Sequence, residues 1–266
     1  MNRYLFTFLL LSSFVFGQNS SFIYQLKYKP DSDATKTENI TYYLDVKGTE
    51  SLFRSVMFRR SDSLRAKRGL PEGYDPEFNN KQLYVAKNTA SDEVKKYVFV
   101  PMVYKTYAIN ITDKLEWKIT DEKQTIGSYP CQKAEVNYGG RNWYAWFTSE
   151  IILHDGPYIF KGLPGLIVKI NDEKSDYQFE LVQIKSFEWK ALYPEKIQKI
   201  IVWEDYQKLQ KSFYNDPFST FKKSDINTYD DSGNLIKTDF KGIREGIQRR
   251  IRTRNNPIEL TYKVEY

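Results

Sequence analysis

Large apolar side chains alternate with polar ones from residue 21 to about residue 190 of this 266-residue chain. The large residues of the first such segment are Phe22, Tyr24, Leu26 and Tyr28, with polar or smaller residues between them. A period of two is typical of half-buried β-strands, and the 41% hydrophobic content is enough for a core. Because the segments are joined by short polar connections, the pattern favours an antiparallel meander over parallel pairing.

Two hairpins stand out within this β region. Gly139-Gly140 separates two alternating runs, and a two-glycine turn in that position is a strong hairpin signal. The polar residues 171–176 separate a second pair of runs. We predict further strands around residues 52–58, 82–86, 97–109 and 115–119. Residues 60–80 are basic and then rich in Gly and Pro, and they predict a solvated surface loop.

The pattern changes to helical spacing near residue 203. Tyr206, Leu209 and Phe213 lie three and four residues apart, and a second helical pattern runs from Phe240 to Ile251. The segment between them, residues 216–238, is polar and turn-rich. We therefore divide the chain into an antiparallel β domain at residues 18–200 and a helical C-terminal extension at 201–266, packed on the same domain.

The N-terminal residues 1–17 have the form of a secretory signal peptide. Arg3 precedes an apolar run at residues 5–16, and Gly17 is the small residue expected before a cleavage site. A run of ~12 residues is too short to span a bilayer, and no cysteine lies nearby for lipid attachment. We expect an exported protein of the periplasm or cell surface that is neither a lipoprotein nor membrane-spanning.

Several kinds of chemistry have little support in the composition. The single cysteine, Cys131, and the single histidine, His154, exclude a disulfide framework and a zinc site built from Cys and His. There is no glycine-rich phosphate loop and no calcium-loop pattern, so no cofactor or metal is predicted. The net charge of +6 is modest and does not indicate nucleic-acid binding. A hydrolase that uses His154 or carboxylates is kept as a minor alternative.

The region from residue 126 to 170 is the densest in aromatic residues and turn motifs. Trp143 and Trp146 alternate so that they face opposite sides of the strand, and Arg141 lies near the hairpin tip. An aromatic wall with one cation could hold an amphipathic molecule. The candidate ligand-binding residues are Arg141, Trp143, Tyr144 and Trp146, although a core-forming hairpin explains the same residues.

Two turn motifs follow that hairpin. Gly156-Pro157 is the first. The second is the hexapeptide Gly162, Leu163, Pro164, Gly165, Leu166, Ile167. Proline fixes φ at the second position of a type II turn, and glycine supplies the positive φ at the third. We predict a type II turn at Pro164-Gly165 with a structural role.

The hexapeptide resembles the sequence that names the GLPGLI family of exported bacterial (Bacteroidota-type) proteins, whose function is unknown. The resemblance extends over roughly residues 20–262. It includes the central block from Leu115 to Ile167 and the ending at residues 255–260, Asn-Asn-Pro-Ile-Glu-Leu. It implies an exported β-rich protein without established catalytic residues. Such proteins are similar in outline to periplasmic lipoprotein carriers with a curved antiparallel sheet over an apolar groove. The expected fold is mainly β (α+β), a curved antiparallel sheet or partial barrel with a short helical tail.

Two functions fit these expectations best. The first is a non-enzymatic cell-envelope protein that binds a lipid or another hydrophobic or amphipathic molecule in the groove of the sheet. The alternative is an accessory interaction module of an outer-membrane TonB-dependent uptake receptor. Its contact surface would be the basic C-terminal helix, in which six Lys and Arg residues lie between residues 241 and 254.

Overall fold

The computed structural model describes residues 19–33, 35–69, 82–101, 105–187, 192, 197, 199–219 and 227–266. The predicted signal peptide and residues 70–80 of the predicted loop lie outside these ranges. The strands are β1 (Ser20–Tyr28), β2 (Glu38–Lys47), β3 (Glu50–Ser55), β4 (Tyr84–Asn88), β5 (Glu93–Val100), β6 (Lys105–Asn110), β7 (Lys118–Ile126), β8 (Tyr129–Tyr138), β9 (Arg141–Thr148), β10 (Leu166–Asp172), β11 (Tyr177–Ser186), β12 (Lys199–Ile200), β13 (Thr228–Tyr229) and β14 (Leu235–Ile236). The helices are α1 (Val56–Arg68), α2 (Trp203–Asn215) and α3 (Phe240–Thr253), with a 3₁₀ turn at Leu260–Tyr262.

Twelve strands form one open sheet in the order β12-β6-β5-β4-β3-β2-β1-β11-β10-β9-β8-β7. The prediction of a mainly β chain followed by helices is confirmed. The sheet is mixed rather than wholly antiparallel, because β12 runs parallel to β6 at its edge. The predicted hairpin at Gly139-Gly140 is present, and both glycines have positive φ, +62° and +78°. The second predicted hairpin joins β10 and β11.

The connection between β6 and β7 requires the sheet to curve. These strands are ten strand spacings apart in the sheet, which is about 48 Å if the sheet is flat. Residues 111–117 join them, and eight Cα-to-Cα steps span at most about 29 Å. The two ends of the sheet must therefore approach each other. We call residues 111–117 the crossover.

Most of the core lies on the face of the sheet that the crossover spans. The even-numbered aromatic and leucine side chains of β1 point there, as the alternation predicted, and Tyr24 and Leu26 are fully buried. Residues 149–165 pack over this covered face with Tyr158, Phe160 and Leu163. Helices α2 and α3 add further apolar side chains to the same core, namely Trp203, Phe213, Ile247 and Ile251.

A helix replaces the predicted loop at the start of the 60–80 segment. Helix α1 follows β3 directly and packs on the opposite face of the sheet, where Phe58 lies 4.5 Å from Phe99 between ring centroids. Ser55 accepts a hydrogen bond from the Phe58 amide and caps the helix, and Gly69 ends it in the left-handed conformation. The strand predicted at 52–58 therefore ends at Ser55.

The predicted strand at residues 115–119 is also displaced. The crossover occupies 111–117, and β7 begins at Lys118. Strand β7 is mostly polar on both faces because it is the last strand of the sheet, so its sequence lacks the alternation on which the prediction rested. Helices α2 and α3 are found where helical spacing predicted them, and the polar segment between them contains the short β13–β14 hairpin.

Candidate functional site

The structure does not bring the four sequence-predicted ligand-binding residues together. Arg141 and Trp143 are buried on the covered face, whereas Tyr144 and Trp146 point to the other face of β9 and are half-buried. The two tryptophans thus face opposite sides, as their spacing predicted. On the far side, Lys133 Nζ lies 5.1 Å from the centre of the Tyr144 ring.

Arg141 is bonded entirely to groups of the chain itself. Its Nη1 donates to Asp172 Oδ2 at 2.9 Å and to Asp176 Oδ2 at 3.1 Å, and its Nη2 donates to Asn256 Oδ1 at 2.6 Å. The Nε and Nη2 groups also donate to backbone carbonyls of residues 257 and 258. The guanidinium therefore fixes the Asn-Asn-Pro-Ile-Glu-Leu segment against the β9 hairpin and the β10–β11 turn.

The Gly156-Pro157 motif is held on the covered face by a buried ion pair. Lys87 pairs with Asp155 and donates to the Gly156 carbonyl at 2.7 Å, while Ser51 Oγ donates to Asp155 Oδ2 at 2.6 Å. Burial lowers the pKa of Lys87, an effect that the nearby Asp155 carboxylate opposes. Gly156 is required here because a Cβ would press against the side chain of Ile167.

The turn at Pro164-Gly165 differs from the predicted type II turn. The Gly165 amide donates to the Leu163 carbonyl at 2.8 Å, which closes a three-residue turn around Pro164. Gly165 has φ +146°, and a Cβ on it would clash with the Thr148 carbonyl. The turn thus brings the start of β10 directly onto the end of β9.

A second buried network surrounds Glu259. Lys96 Nζ pairs with Glu259 Oε2 at 2.7 Å, and the hydroxyls of Tyr138 and Tyr158 both donate to Oε1. Burial raises the pKa of Tyr158, with the Glu259 charge as the next cause. A cavity of about 50 Å³ adjoins the network beside Trp203. That volume suits a few ordered waters, so the network is a structural clamp for the C-terminal segment.

The candidate functional site is a larger cavity under the crossover. It has a volume of about 550 Å³ and opens between the β4–β5 turn, the crossover and the residues just before β10. Its aliphatic wall consists of Val94, Ile111, Leu115 and Ile159. Its polar lining consists of Asp92, Glu93, Asn110, Thr112, Asp113, Lys114, Lys161 and Gly162. We call it the crossover cavity.

Sequence reasoning missed this cavity because its walls come from three separate loops. Asp92, Ile111 and Lys161 are far apart in sequence, and only the topology of the sheet brings them together. One signal lay close by, since Lys161 immediately precedes the Gly162–Ile167 hexapeptide. The size and the mixed lining of the cavity are those of a small-molecule site, for which about 300–1,000 Å³ is usual.

The remaining candidate residues lie apart from this lining. Cys131 is buried, and burial raises its pKa, which disfavours the reactive thiolate. His154 is exposed, and its carbonyl accepts a hydrogen bond from the Gly162 amide. In the described ranges, no group of three or more His, Cys, Asp or Glu side chains is placed to hold a metal ion.

The basic residues of α3 are partly engaged within the chain. Arg244 pairs with Asp216 at 3.3 Å, Arg254 pairs with Glu38 at 2.5 Å, and Arg252 donates to the Tyr214 hydroxyl. Lys241 also pairs with Glu245 at 4.0 Å, so at least four of the six basic groups have intramolecular partners. Among the residues with described positions, no helix is both long and apolar enough to cross a bilayer.

Comparison with known proteins gives a fold relationship only. No family model and no curated protein matches the chain. The chain is similar to PNGF-II in two crystal forms, at 18% identity in both and with TM-scores of 0.52 and 0.50. Each alignment covers 73% of this chain and 33% of PNGF-II, so the chain spans about a third of that protein. The crystal structure of the LolA superfamily protein NE2245 from Nitrosomonas europaea aligns at 9% identity with a TM-score of 0.30, over 67% of this chain and 91% of that one.

Proposed function

We propose that this chain is a non-enzymatic, exported cell-envelope protein of the GLPGLI type that binds a hydrophobic or amphipathic small molecule in the crossover cavity. The observation that carries the proposal is the cavity itself, which combines about 550 Å³ with four aliphatic side chains and a charged rim. Among the described residues, much of the groove side of the sheet is packed with the chain's own apolar side chains. We therefore place the proposed ligand site at the crossover and not at the β9 residues that the sequence predicted.

The aliphatic wall is suited to an alkyl chain. Val94 and Ile111 are each 8% exposed, so they form the floor of the opening, and Leu115 of the crossover is half-buried above them. Each methylene buried there contributes about 0.8 kcal/mol, which corresponds to an affinity gain of about fourfold per carbon. A series of linear alcohols should therefore bind more tightly as the chain lengthens.

Titration calorimetry of the purified chain with octanol, nonanol and decanol tests the proposal. The matched variants are Leu115→Trp, which narrows the cavity, and Ile152→Trp, which adds the same side chain at a residue that is 78% exposed outside it. We expect Leu115→Trp to weaken alcohol binding and Ile152→Trp to leave it unchanged, with circular dichroism unchanged for both. Absence of binding to the unmodified chain, or equal binding by both variants, would refute the assignment.

The alternative function, an accessory module of an uptake receptor, is supported by fewer residues than the sequence suggested. Lys241 and Arg249 of α3 are exposed and could contact an acidic partner. Because Arg244, Arg252 and Arg254 are engaged within the chain, the basic surface is smaller than the sequence implies. Charge reversal at Lys241 and Arg249 should abolish cross-linking in the cell to an envelope partner if this alternative holds.

A further inference from the structure

The crossover cavity contains one lysine whose backbone is fixed and whose side chain is largely covered. Trp117 Nε1 donates to the Lys161 carbonyl at 2.8 Å, and the next amide, that of Gly162, donates to the His154 carbonyl at 3.0 Å. Only 18% of the Lys161 side chain is exposed. The stem of the side chain is therefore covered, whereas the hydrogen bond that its ammonium group donates is exposed at the mouth of the cavity.

The partner of Lys161 comes from the opposite wall and is almost fully exposed. Asp92, in the β4–β5 turn, accepts a hydrogen bond from Lys161 Nζ, and 87% of its side chain is accessible to solvent. The hydrogen bond from Lys161 and then its charge lower the pKa of Asp92. Ion pairs with a solvent-exposed partner contribute little to stability, so another anion can replace Asp92 at small cost.

The other charges of the lining have neighbours of their own, although the charge of Lys114 also contributes to the lowered pKa of Asp92. Glu93 pairs with Lys95 at 3.2 Å. Asp113 and Lys114 are adjacent and exposed on the crossover, so their charges offset each other in solvent. Of the two lysines in the lining, Lys161 is thus the one whose side chain is mostly covered.

From this arrangement, and resting on the proposed function, we infer that the crossover cavity binds an alkyl carboxylate. The carboxylate replaces Asp92 on the Lys161 ammonium, and Asp92 turns into solvent. The alkyl chain lies on Val94, Ile111, Leu115 and Ile159. A charge-assisted hydrogen bond to the ammonium is stronger than a neutral one, so an anionic head is selected over a hydroxyl.

Titration calorimetry of the purified chain with decanoate, decanol and decylammonium tests the inference. Decanoate should bind about two- to fivefold more tightly than decanol, which is the gain expected of a charge pair at an exposed ammonium. Lys161→Met should remove this advantage and leave decanol binding unchanged, and Lys161→Arg should restore most of it. Asp92→Asn should strengthen decanoate binding about two- to fivefold, because it removes an exposed competitor. Asparagine also tolerates the positive φ of +57° at that position.

Lys169→Met is the matched control, since Lys169 pairs with Glu180 at 3.1 Å and is outside the cavity lining. It should leave all three affinities unchanged. Tightest binding of decylammonium, or decanoate binding that Lys161→Met does not weaken, would overturn the inference. If decanol binds and Leu115→Trp weakens that binding, but decanoate has no advantage, only the head-group assignment fails. If none of the three probes binds, the proposed function fails with it.

Discussion

Arg141 connects three parts of the chain that are distant in sequence. One guanidinium joins the β9 hairpin, two aspartates of the β10–β11 turn and the C-terminal Asn-Asn-Pro-Ile-Glu-Leu segment. The sequence alone indicates a cation near a hairpin tip, and it cannot show that Asp172 and Asp176 lie beside it. The aspartates supply the anionic contact that sequence reasoning reserved for a ligand.

Gly165 gives a sharp prediction at the same scale. Gly165→Ala should lower the free energy of unfolding by about 3 kcal/mol or more, since φ +146° is a region that essentially only glycine occupies and the new Cβ would clash with the Thr148 carbonyl. Urea unfolding measures the change.

Gly162→Ala is the matched control for that substitution. Gly162 lies in the same hexapeptide with φ +92°, but the space around it is open. Its substitution should cost about 1–2 kcal/mol for the backbone conformation alone. Equal losses in the two variants would show that the close approach to Thr148 does not determine the role of Gly165.

Among the elements, alternation located most of the strands, although the single strand predicted at 97–109 corresponds to two strands, β5 and β6. It failed at β7, which is polar on both faces, and at α1, where Arg and Lys residues obscure the few buried positions. Ser55 before α1 and Gly69 after it were the signals that could have located this helix. The crossover cavity could not be predicted from the sequence, because no local pattern shows which loops the order of the strands brings together.

Helix α2 begins without a side-chain cap, which leads to a second prediction. Its N-cap residue is Val202, 57% exposed, with the extended backbone that a capping residue needs. Val202→Ser should raise the free energy of unfolding by about 1 kcal/mol, because a serine hydroxyl can accept a hydrogen bond from an otherwise unpaired amide of the first turn.

Thermal and urea unfolding measure this gain. Val182→Ser is the control, because Val182 is similarly exposed, at 59%, but lies in the strand β11. It should give no stabilisation. A gain of the same size at Val182 would show that replacing any exposed valine by serine stabilises the chain, without helix capping.

For the whole molecule, the buried tyrosines predict steep unfolding in alkali. Burial raises the pKa of Tyr24, Tyr84, Tyr138, Tyr158 and Tyr177 well above 10. Because the folded state holds these protons more tightly, their contribution to stability is complete below pH 10 and is lost as the pH rises above it. Above pH 10, each of these tyrosines lowers the free energy of unfolding by about 1.4 kcal/mol per pH unit. Five together therefore cancel the stability of a typical domain between about pH 11 and 12.

Circular dichroism and tyrosinate absorbance, followed together against pH, test this expectation. The two signals should change in one cooperative step, and Tyr24→Phe should make the alkaline transition less steep. Tyr229→Phe, at a tyrosine that is 59% exposed, should leave it unchanged. The lowered pKa of Lys87 has the opposite effect on the free energy of unfolding, which it raises as the pH approaches 10.5. One lysine is outweighed by the five tyrosines. Gradual ionisation without loss of structure would contradict the prediction.

The position of β1 in the sheet determines the order in which the chain can fold. Its partners are β2, which follows at once, and β11, with Tyr28 opposite Tyr177 and Ser20 opposite Ser186. Strand β11 begins 149 residues after β1 ends, so the second edge of β1 stays unpaired until nearly the whole β region is available to fold. Until then this strand, with its buried tyrosines and leucine, is an open template for pairing with other chains. Fragments that end before β11 should therefore aggregate more readily than the full chain.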